Sequence, residues 1–97
     1  MADAPPPVFV LTVQALAGPA NSVPDGRRYD LLVFARGDDE AAADAAARKA
    51  LASLGWEAPA VRRTGEITRP EGIPEDLRGA WRTACAEGCA VIVYDEP

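Results

Sequence analysis

The stretch Leu31-Leu32-Val33-Phe34-Ala35-Arg36-Gly37-Asp38-Asp39-Glu40 decides the fold. An apolar run rich in strand-favouring residues breaks at Arg36-Gly37 and reopens as an acidic helix start. An alanine-rich segment follows and stops at Leu54-Gly55-Trp56. The unit reads as strand, helix and stop, and the rest of the chain is expected to pack against it.

The helix is expected from about Asp39 to Leu54. Asp38 or Asp39 can cap its first amides, and the three acids suit the positive end of the helix dipole. Ala43, Ala47, Ala50, Leu51 and Leu54 recur at helical spacing as one apolar stripe. Asp44 and Arg48 stand four residues apart in the favourable order for an ion pair. Gly55 occupies the position where a left-handed residue ends a helix, and Trp56 can fold back on Leu51. Carboxylates at the helix start would repel a phosphate, so the strand–turn–helix unit is structural and not a nucleotide loop.

Working outward, Arg28 to Arg36 is the second strand. Tyr29, Leu31, Val33 and Ala35 share one face, and Asp30, Leu32, Phe34 and Arg36 the other. Leu32 and Phe34 make its centre apolar on both sides, which predicts an interior position. Val8 to Ala15 is the first strand, with Phe9, Leu11, Val13 and Ala15 on one face. Its other face, Val8, Val10, Thr12 and Gln14, grows polar toward its end, so that side of the sheet is expected to be partly solvated. The two strands form a hairpin across a loop from Leu16 to Arg27, rich in Gly, Pro, Asn and Asp. Residues 1–7, with Pro5-Pro6-Pro7, form an N-terminal tail ahead of a single domain spanning 8–95.

Beyond the helix, a third strand is expected over Ala60–Ile67. Its Arg62, Arg63 and Glu66 suit an edge. The second helix starts near Pro74, carries the stripe Leu77, Ala80, Trp81, Ala84 and Cys85, and ends at Gly88. Cys89 to Tyr94 is the last strand, and its continuous apolar run predicts an interior place in the sheet. The order β-β-α-β-α-β makes an α+β, two-layer sandwich: a four-stranded mixed sheet with two helices packed on one face. Right-handed crossovers require that arrangement if the sheet grows in one direction.

Composition narrows the function classes. The 97 residues have a net charge of −5 and a pI near 4.6, which argues against non-specific nucleic-acid binding. The absence of histidine removes the commonest metal ligand and general base, and two cysteines cannot close a structural zinc site. No metal, no other cofactor and no membrane partner is therefore expected, and enzymatic activity is disfavoured. Val8–Val13 followed by Ala15-Leu16-Ala17 imitates an export signal, but Asp3 and the prolines replace its cationic start. The expected location is the cytoplasm, with reduced thiols.

Two surfaces remain as candidates. Val8, Val10, Leu32 and Phe34 would form an apolar interaction face if the helices leave it open, serving a homo-oligomer or another protein partner. The leading expectation is thus a non-enzymatic interaction or regulatory module, in one version a homodimer joined through a sheet face or an edge. The alternative is a phosphate- or carboxylate-binding site built from Arg62, Arg63, Arg69, Arg78 and Arg82, with help from the Leu16–Arg27 loop. Cys85 and Cys89 have neither the spacing nor the helix-start position of a redox pair, so both are expected in the core. Trp56 and Trp81 are likewise expected to pack inside.

Overall fold

The structure is a computed structural model that describes residues 7–21, 26–67 and 70–94. It contains β1 (Val8–Ala17), β2 (Arg28–Arg36), α1 (Glu40–Ser53), β3 (Trp56–Glu66), α2 (Arg78–Glu87) and β4 (Cys89–Tyr94). Two short 3-10 turns, Pro70–Gly72 and Glu75–Leu77, lead into α2. The strands form one sheet in the order β3-β1-β2-β4. The α+β sandwich and the element order agree with the sequence reading.

Three features differ from it. The sheet is antiparallel throughout, not mixed, because β1 pairs antiparallel with both β2 and β3, and β2 pairs antiparallel with β4. The helices lie on opposite faces, not on one. Phe9, Leu11, Val13, Leu31 and Val33 pack with Ala43, Ala47 and Leu51 of α1. Val8, Val10, Leu32 and Phe34 pack with Ala80, Trp81 and Ala84 of α2. The molecule is therefore helix, sheet, helix. α1 carries the chain across the hairpin to the β1 side, and α2 carries it back to the β2 side. The handedness rule fixes only the β2–α1–β3 crossover, whose strands are parallel; β3 and β4 are antiparallel, so that rule leaves α2 free to take the other face.

The third difference concerns β4, which is an edge strand and not an interior one. Its apolar run has another cause. Cys89 and Val91 pack toward the α1 layer, while Ala90 and Ile92 pack toward the α2 layer. Burial between two helical layers makes a strand apolar on both faces without a neighbour on each side.

Local signals explain the remaining elements. The Asp39 carboxylate accepts from the amide of Ala42 at 2.8 Å and caps α1. Arg48 pairs with Asp44 at 2.8 Å. Of the anticipated α1 stripe, Ala43, Ala47 and Leu51 are buried, whereas Leu54 is 50% exposed. Leu54 is the C-cap residue, so it has left the helical path that would have turned it inward. Gly55 has a φ of +84°, and a Cβ there would run into the amide nitrogen of Asn21. Trp56 is not in a connection but opens β3, opposite Ala17, and its ring meets Tyr29 edge-on at 5.6 Å. β3 is thus four residues longer at its start than anticipated.

Candidate functional site

The arginines do not form one patch. Arg62 and Arg63 lie on β3, at one edge of the sheet, whereas Arg78 and Arg82 lie on α2, which packs toward the other edge. Arg78 donates to the carbonyl of Glu71 at 3.2 Å, and Arg82 is exposed. Arg69 falls outside the described residues. The two arginines of β3 stay together because the pairing register shifts between Thr12 and Val13, leaving Arg62 as an extra residue in the strand. Both line an open cavity of about 410 Å³ with Thr12, Gln14 and Asp30. Arg62 donates to Gln14 Oε1 at 3.1 Å, and Gln14 Nε2 donates to Asp30 Oδ1 at 3.0 Å. A polar chain thus crosses three strands on the part of the face beyond α2. Gln14 and Asp30 were not singled out in the sequence, although the growing polarity of that face was the signal for them.

The apolar face of Val8, Val10, Leu32 and Phe34 is not open as envisaged. Val8 and Phe34 are buried beneath α2, because that helix took the opposite face from α1. Val10 and Leu32 are half-buried and line a groove of about 380 Å³ with Ile67, Ile73 and Leu77.

The edges of the sheet are unlike each other. The β3 edge carries two register irregularities, Pro59, Arg62, Arg63 and Glu66, and Ala58 sits at a φ of +49°. Each of these features obstructs the docking of another strand. The β4 edge, Cys-Ala-Val-Ile-Val-Tyr, has no charge, no proline and no glycine. The amide of Arg36 donates to the carbonyl of Gly88 at 2.8 Å, in register with the β2–β4 ladder. That bond fixes the phase of the strand. Ala90 and Ile92 turn their backbone groups toward β2, so Cys89, Val91 and Val93 turn theirs outward. Val93 is also 47% exposed.

The thiols lie on opposite faces: Cys85 packs in the α2 layer and Cys89 in the α1 layer. Burial pushes both above the ordinary thiol value of 9.0, opposed at Cys85 by the Arg36 guanidinium and at Cys89 by the Ala90 amide. This is the reverse of an activated nucleophile. Trp56 is buried and Trp81 is half-buried against α2's core, so neither is a free aromatic anchor. Among the described residues, no His, Cys, Asp and Glu group is placed to hold a metal ion, and no helix is long and apolar enough to cross a membrane. In comparisons with known proteins, the chain matches no family model, no curated protein and no solved structure.

Proposed function

We propose that the protein is a non-enzymatic interaction module that works as a homodimer joined along β4. The observation that carries this reading is the contrast between the obstructed β3 edge and the β4 edge, whose strand is uncharged and has no outer partner strand among the described residues. A regular, uncharged, apolar edge is a template for strand addition unless something covers it. A second copy fits it on symmetry. With Val91 opposite its own counterpart, Cys89 faces Val93 and Ala90 faces Ile92 of the second copy. Every outward N–H then meets an outward C=O, and no like charges are set opposite one another. The two sheets become one of eight strands, with apolar rows continued on both faces. Two free cysteines that pack in separate layers suit a reducing compartment, in keeping with a cytoplasmic role.

Sedimentation velocity over a concentration series tests the proposal. The wild-type chain is expected to sediment as a dimer, and Val93→Lys as a monomer with unchanged circular dichroism. A wild-type monomer at every concentration, or a Val93→Lys variant that remains dimeric, would count against it.

A further inference from the structure

We propose that the polar part of the sheet face binds a short amino-carboxylate zwitterion, its carboxylate on Arg62 and Arg63 and its ammonium on Asp30. The site takes its residues from β3, β1 and β2; Asp30 pairs across the ladder with Tyr94 at the end of β4, but no β4 residue lines the cavity, and the proposal does not depend on the homodimer.

The bulge in β3 brings two guanidinium groups to one cavity. Arg62 uses one hydrogen bond on Gln14 and has further donors free, since a guanidinium carries five N–H groups. The Arg63 side chain makes no hydrogen bond or ion pair among the described residues. A planar guanidinium presents paired donors that match a carboxylate. Gln14 is held at both ends, by Arg62 and by Asp30, so its amide is a fixed spacer. Asp30 accepts from Gln14 on Oδ1, and Oδ2 has no hydrogen bond among the described side chains. Two hydrogen bonds and one amide keep the guanidinium and the carboxylate within about 8 Å of each other. A molecule with an anionic and a cationic end a few bonds apart spans that distance.

Charge selects the zwitterion over a plain anion. Asp30 stands on the same wall as the arginines, and Glu40 and Asp44 line the neighbouring cavity that Arg62 and Arg63 also border. A phosphate would draw on the arginines but be repelled by these carboxylates. A zwitterion has a favourable contact for each sign. The cavity, about 410 Å³, is in the range that takes a small ligand.

The test is an NMR titration of the full chain with glycine, β-alanine and 4-aminobutanoate, run beside acetate, ethylammonium and inorganic phosphate. At least one amino-carboxylate is expected to shift the Thr12, Gln14, Arg62 and Arg63 signals, with a Kd roughly tenfold or more below those of acetate and phosphate, the worth of one charge-assisted hydrogen bond. Asp30→Asn should bring that ligand and acetate to about equal affinity, with acetate itself binding at least as well as to the wild type, since a carboxylate that repels it is gone. Arg63→Gln should weaken both. Absence of any shift, binding of phosphate or acetate as tight as that of every amino-carboxylate, or indifference to Asp30→Asn would each overturn the proposal. The remaining signals of each variant report whether its fold is intact.

Discussion

Asn21 donates its side-chain amide to the carbonyl of Leu54 at 2.9 Å, tying the start of the hairpin loop to the end of α1. The Gly18 amide donates to the carbonyl of Gly55 at 3.0 Å beside it. A buried asparagine here satisfies a carbonyl that the helix itself leaves unpaired. Asn21→Ala should therefore lower unfolding free energy by roughly 1–2 kcal/mol, read from urea midpoints.

Gly55→Ala should cost more than Asn21→Ala. The backbone there has a φ of +84°, and the added methyl would meet the Ala20–Asn21 backbone, which the Asn21 bond to Leu54 holds against the end of α1. Left-handed strain and overpacking together suggest about 2–4 kcal/mol. Gly65→Ala is the control. Nothing stands within 4 Å of a Cβ at that position, so its effect should be small.

Opposed helices bury both faces of the hairpin, and paired truncations report this. Leu51→Ala opens a cavity under α1, and Phe34→Ala opens one under α2. Each should destabilise by about 3–4 kcal/mol in thermal or urea unfolding. Leu54→Ala, at a half-exposed position, should change stability by less than about 1 kcal/mol. A large Leu54 effect with a small Phe34 effect would mean that α2 does not cover its face.

The local signals in the sequence were legible because each depends on near neighbours. Asp39 as a cap, the Asp44–Arg48 pair, Gly55 and Gly88 as stops, and the alternation in β1 and β2 all follow from spacing alone. Strand order was not legible, since nothing near Cys89–Tyr94 records whether β4 joins β1, β2 or β3. A strand apolar on both faces has the same pattern whether it lies between strands or between helices. That ambiguity put β4 in the interior and both helices on one face. At the candidate site, Arg62 and Arg63 were visible as charges on a strand. Their meeting with Gln14 and Asp30 depends on a register shift that no periodicity marks.

The cysteines supply a pH test. Burial raises both thiol pKa values in the folded chain, so folding favours the protonated thiol. That stabilisation is complete below the unfolded thiol value and is lost as pH rises through the folded value. Unfolding free energy should thus decline above pH 9.0 more steeply in the wild type than in Cys85→Ser/Cys89→Ser, once the two are normalised at pH 7. Thiol labelling at pH 7 should be slow for both residues.

Backbone amide hydrogen exchange tests the homodimer along β4 most directly. Ala90 and Ile92 face β2 and should be protected at any concentration. The amides of Cys89, Val91 and Val93 should become protected as concentration rises, and Val93→Lys should abolish that gain. Free exchange of those three amides at concentrations where Ala90 and Ile92 stay protected would contradict the β4 dimer.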